Sequence, residues 1–133
     1  MDFKSIIKEQ REELERIEQD EKIIERENLE QARRFLQHPN VLAILGIRRC
    51  GKSIFSYLAA KDGKMGYINF DDERLAGLTS EDLNRILESF YELYGDVDYV
   101  VLDEIQNVDG WELFVNRLRR TKRVILTGSN SKL

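Results

Sequence analysis

Eight consecutive residues, Gly46-Ile47-Arg48-Arg49-Cys50-Gly51-Lys52-Ser53, have the spacing G-x-x-x-x-G-K-[ST]. These residue types at this spacing suit the gripping of a phosphate chain. Gly46 and Gly51 let backbone N–H groups curl around phosphate oxygens without a Cβ in the way. Lys52 supplies a flexible point charge for the terminal phosphates, and Ser53 an oxygen for the Mg²⁺ that bridges them. A helix starting here, with Ile54 in its first turn, adds the positive end of its dipole. Arg48, Arg49 and Cys50 fill the middle of the loop. The two arginines either raise the potential at the phosphates or point outward to a neighbour or to a carboxylate such as Asp71. Cys50 is either a small filler or, beside a helix N-terminus, an oxidisable thiol.

A second group lies some fifty residues on. Tyr99-Val100-Val101-Leu102 runs straight into Asp103-Glu104. A continuous apolar strand ending in a carboxylate brings that acid to the ligand-binding edge of a parallel sheet. Asp103 is the candidate metal holder. Glu104 is the candidate for polarising a water for in-line attack on a γ-phosphate; its bland alternative is a surface acid at a strand end. Thr127, Ser129 and Asn130 lie at the end of the last strand. They are either sensors of the γ-phosphate or ordinary turn residues around Gly128.

Strands and helices must alternate to place these groups together. Val41–Leu45, Met65–Phe70, Tyr99–Leu102 and Arg123–Gly128 read as strands. Ile54–Ala60 is apolar nearly all round and suits a helix buried on a sheet. Thr79 with Asp82 opens a helix through Leu83, Ile86, Leu87, Phe90 and Tyr94 that Gly95 ends. Trp111, Phe114, Val115 and Leu118 share another helical face. The alternation predicts an α/β fold with a doubly wound parallel sheet over residues 38–133.

Residues 1–37 read as a long charged helical arm. Ile7, Leu14, Ile17 and Ile24 fit a heptad that Gln10 and Glu21 break. The arm is either solvated or a docking helix for a sister subunit or partner protein, while Leu29, Ala32 and Leu36 share a face suited to packing on the domain.

At 133 residues the chain is one domain in size, and 41% hydrophobic content allows a real core. A net charge of −4 argues against a general nucleic-acid or anionic-membrane surface. The dense basic cluster Arg117, Arg119, Arg120, Lys122 and Arg123 either complements a helix dipole or forms a DNA-contacting edge. No apolar run approaches the roughly 20 residues of a membrane span. One cysteine and no visible signal peptide make the cytoplasm the expected location.

The motifs taken together resemble a prokaryotic, often archaeal, group of AAA-type ATPases with a double-arginine phosphate loop. The resemblance rests on Gly46 to Ser53, Tyr67-Ile68-Asn69-Phe70-Asp71-Asp72, Leu102-Asp103-Glu104-Ile105-Gln106, Trp111, and Leu126-Thr127-Gly128-Ser129-Asn130. It covers about residues 24–133. It implies strand order 5-1-4-3-2, ATP with Mg²⁺ as ligands, Asn130 or Ser129 as first sensor, and Asn69 as a partner restraining Glu104 until a ligand binds. Strand five, the helical lid, the second sensor and an arginine finger lie in the family beyond the position of Leu133. The resemblance therefore implies a truncated core with weak nucleotide binding and slow turnover. Three functions compete: a Mg-ATP-dependent conformational switch that hydrolyses ATP, a nucleotide-binding interaction module that does not, and a nucleic-acid-directed ATPase core. Kinase and guanine-specific readings lack their acceptor lid and base-recognition motif.

Overall fold

The computed structural model describes residues 2–20, 26–45 and 50–128. The order of elements is α1 (Phe3–Asp20), α2 (Arg26–Phe35), β1 (Asn40–Leu45), α3 (Cys50–Ala60), β2 (Met65–Asn69), α4 (Ser80–Tyr94), β3 (Tyr99–Asp103), α5 (Trp111–Leu118) and β4 (Arg123–Gly128). Short 3-10 turns follow β2 and β3. The four strands form one parallel sheet in the order β1-β4-β3-β2, which agrees with the expected α/β class and with the implied order as far as these strands go.

Parallel register brings the C-terminal ends of the strands to one edge. Leu45 lies beside Gly128, Leu102 beside Leu126, and Asn69 beside Asp103. β3 and β4 are buried almost throughout, as their unbroken apolar sequences require. On one face, Ile68, Val100, Leu102, Val124 and Leu126 pack under α4 and α5; on the other, Met65, Tyr67, Val101 and Ile125 pack under α2 and α3. Gly66 is required where it stands, because a Cβ there would lie 2.3 Å from the Phe90 ring of α4. Helix α4 starts as its sequence predicts, with Asp82 reaching back to accept from the Thr79 N–H at 3.0 Å. It ends at Gly95 (φ 84°), whose N–H donates to the Tyr91 carbonyl at 2.9 Å.

Helix α1 differs from the solvated arm that its charge suggests. Phe3, Ile6 and Ile7 are buried with α4 and β2 on one face of the sheet, and Leu14 is buried with α3 on the other. The helix crosses the β2 edge and joins both cores. Gln10, which breaks the heptad, is buried for a reason that heptad counting misses. Its amide donates to the Asn69 carbonyl at 3.0 Å and accepts from the Asn69 N–H at 2.9 Å, as a neighbouring strand would. Arg11 donates to the Met65 carbonyl at 3.1 Å. Leu36 and Ala32 of the following segment are buried as their shared face predicts.

Candidate functional site

Helix α3 begins at Cys50, within the phosphate-loop sequence, and the fold thereby sets Lys52 and Ser53 in its first turn. Gly46, Arg48 and Arg49 lie outside the described residues, as do Ser129 and Asn130. Cys50 and Gly51 are placed as the backbone of the helix start, and Ile54 is buried beneath it. β3 delivers Asp103 and Glu104 to the same edge, and β4 delivers Thr127 and Gly128.

Lys52, Ser53, Asp103 and Glu104 converge. Lys52 Nζ lies 3.3 Å from Glu104 Oε2 and donates to the Gly128 carbonyl at 2.7 Å. Only 10% of the Lys52 side chain and 5% of the Glu104 side chain are exposed, so this pair is largely removed from solvent screening. Ser53 Oγ donates to Asp103 Oδ2, and Thr127 Oγ1 donates to Asp103 Oδ1. The Tyr67 hydroxyl from β2 also donates to Asp103 Oδ2, at 2.5 Å. Burial, and then the Asp103 carboxylate beside it, push the Tyr67 phenol well above its usual range, so it stays a proton donor at neutral pH.

Glu104 is not the surface acid of the bland alternative. It is buried, with backbone φ 57° and ψ 48°, and is the one non-glycine residue with positive φ among those described. A left-handed glutamate is a strained conformation of the kind that clusters at functional sites. Its N–H donates to Thr127 Oγ1 at 2.9 Å, and its Oε1 accepts from Gln106 Nε2 at 2.8 Å. Thr127 is fully buried and spends its hydroxyl bridging Asp103 and Glu104, so it braces the two acids instead of facing a phosphate. Asn69 Oδ1 accepts from the Asp71 N–H at 2.9 Å. A side-chain amide reaches Glu104 from Gln106, whose Nε2 donates to Oε1.

Sequence reasoning missed Tyr67 and Gln106 as site residues. The alternation of β2 was the usable signal for Tyr67, since it sets Met65, Tyr67 and Asn69 on one side. Gln106 had no local signal beyond its closeness to Glu104. Four residues of the basic cluster meet protein partners: Arg117 donates to Asn84, Arg119 to Asn116, Lys122 to Asp96, and Arg123 to the Leu36 and Gln37 carbonyls.

The oxygen set fits Mg²⁺ in a particular way. Among the described residues no group of three or more His, Cys, Asp or Glu side chains could hold a metal unaided. One hydroxyl and one carboxylate suit an ion that keeps several waters and takes its other ligands from phosphates.

This parallel sheet, with a lysine, a serine and two acids gathered at its C-terminal edge, has the arrangement of an incomplete P-loop NTPase-like core. The sequence pattern of the AAA domain family AAA_14 matches residues 38–133, and the chain belongs to that family. It is 38% identical over 101 residues to "Uncharacterized protein MJ1544" of Methanocaldococcus jannaschii, covering 71% of this chain and 22% of that protein. It is 30% identical over 123 residues to an "Uncharacterized protein" of Haemophilus influenzae, covering 84% of this chain and 31% of that one. The chain thus spans less than a third of the length of either relative. No solved structure matches. No helix among the described residues is long and apolar enough to cross a membrane.

Proposed function

We propose that this chain carries the Mg-ATP-binding core of an ATPase that acts as a conformational switch, with the core over residues 38–133 and residues 1–37 as its helical attachment. The convergence of Lys52, Ser53, Asp103 and Glu104 at one sheet edge carries this reading. Lys52 binds the β- and γ-phosphates, and the N–H groups of the loop from Gly46 to Ser53 cradle them, with Arg48 and Arg49 adding positive potential. Ser53 and Asp103 hold Mg²⁺, which neutralises charge on the phosphates when bound. Glu104 orients and deprotonates the attacking water, and Asn130 or Ser129 senses the γ-phosphate.

The Lys52–Glu104 ion pair gives this switch a resting position. A phosphate that draws Lys52 away removes the hydrogen bond that Lys52 Nζ makes to Glu104 Oε2. Gln106 still holds the second oxygen. ATP binding thereby alters the hold on the base.

The second reading is a module that binds nucleotide without hydrolysing it. The same hold of Lys52 and Gln106 on Glu104 favours it. Glu104→Gln separates the two. On the ATPase reading it retains ATP binding within about threefold, while phosphate release falls at least about 100-fold, toward background. Phosphate release equal in Glu104→Gln and wild type contradicts the hydrolytic role.

A further inference from the structure

Asp103 is held by more hydroxyls than a metal-binding carboxylate requires. An ionised carboxylate offers about four acceptor positions. Thr127 takes one on Oδ1, while Ser53 and Tyr67 take both on Oδ2. The three donors differ in freedom. Ser53 stands in the first turn of α3, and its oxygen keeps lone pairs for another partner while its proton points at Asp103. Tyr67 has no such latitude. Its ring is 2% exposed and packed with Leu14 of α1 and Ile54 of α3. The cavity beside it, about 100 Å³, is walled by Gln10, Glu13, Leu14, Ser53 and Asn69. The ring is therefore held by packing between α1 and α3 on this face of the sheet edge.

We propose that Tyr67 is a positioning residue for the metal: by occupying Asp103 Oδ2 it keeps that oxygen from binding the ion directly, so that Asp103 serves Mg²⁺ through the Ser53 hydroxyl and through water. This rests on the Mg-ATP reading above. It also makes a choice among metals. Mg²⁺ gives up water reluctantly and suits such an indirect hold, whereas Ca²⁺ prefers more, and direct, carboxylate contacts. Tyr67 thus favours Mg²⁺ over Ca²⁺ without touching either.

The test is calorimetric titration of ATP into the full chain at a series of Mg²⁺ and Ca²⁺ concentrations, for wild type, Tyr67→Phe, Asp103→Asn and the double variant. Losing a hydrogen bond to a buried charge predicts that Tyr67→Phe raises the half-saturating Mg²⁺ about tenfold. The half-saturating Ca²⁺ does not rise, because freeing Asp103 Oδ2 opens the direct carboxylate contact that Ca²⁺ prefers; metal-free ATP binding is unchanged, and adding Tyr67→Phe to Asp103→Asn has no further effect. An unchanged Mg²⁺ dependence overturns the proposal, as does an equal loss of metal-free binding, which marks a merely structural role. Wild-type binding that ignores metal overturns it while leaving phosphate binding intact, and absence of any ATP binding overturns both readings. If Tyr67→Phe does not fold, the wild type still decides. With Mg-ATP bound, the Tyr67 hydroxyl proton keeps a downfield, exchange-protected NMR signal if it remains on Asp103, and loss of that signal contradicts the proposal.

Discussion

The two edges of the sheet are treated in opposite ways. At β2, the backbone of Asn69 meets the Gln10 amide through both its N–H and its carbonyl, and α1 lies across the strand with Phe3, Ile6, Ile7 and Leu14 buried. At β1, the only strand neighbour among the described residues is β4. Beside it lies an open apolar groove of about 580 Å³, walled by Ala32, Phe35, Leu42, Ile44 and Phe55, with Phe35 46% exposed. An uncovered strand edge is a template for pairing, and folds cover or blunt it. This chain closes the edge that carries Tyr67 and Asn69, and so fixes the site's outer wall with a segment that lies before the family-matched region. Helix α1 therefore acts on the site from outside the motifs that define it.

The covered edge depends most on the core under α1. Ile7 is fully buried, and Ile7→Ala is expected to cost about 2–5 kcal/mol in urea unfolding. Phe35→Ala at the open groove is expected to cost no more than about 1 kcal/mol. Equal costs would mean that α1 is not anchored as described. Next in size is Gln10→Leu, which keeps the apolar stripe but strips the Asn69 N–H and carbonyl of their partner. The expected loss is about 1–3 kcal/mol, against a gain if α1 were an ordinary amphipathic helix.

The smallest effect is electrostatic. Arg74 grips Asp72 with two hydrogen bonds, at 3.0 and 2.7 Å, and reaches Glu9 of α1 at 2.8 Å; Gln10 donates to Asp72 at 3.2 Å. Arg74 beside it, with help from Gln10, lowers the Asp72 carboxyl from 3.8 to about 2. Because the folded value lies below the unfolded one, this stabilisation is complete above about pH 4 and is lost as pH falls toward 2. Asp72→Asn should lack that component, so the stability difference between wild type and variant should shrink over that range. A difference that stays constant from pH 5 to 2.5 contradicts the assignment.

What could be read from sequence follows the same division. The strands, α4 with its Thr79–Asp82 start, and the pairing of Lys52 and Ser53 with Asp103 and Glu104 were legible, because local patterns and a parallel sheet suffice to bring them to one edge. The burial of α1 was not, since its charge outweighed its apolar stripe in the reading. A polar residue amid Phe3, Ile6, Ile7 and Leu14 was the clue, and its partner lies 59 residues away. Tyr67 and Asp103 are 36 residues apart and meet only through the β2–β3 register. The left-handed Glu104 has no local signature, and the hydroxyl that its N–H meets belongs to Thr127, 23 residues further on.

The proposed function depends on Lys52 and its neighbouring acids forming a phosphate-binding site. Calorimetric titration of ATP and ADP with and without Mg²⁺, on wild type and Lys52→Ala, tests it most directly. Wild-type binding should be saturable and strengthened by Mg²⁺, and Lys52→Ala should weaken it at least about tenfold with the fold intact by circular dichroism. Indistinguishable isotherms for the two proteins would contradict it.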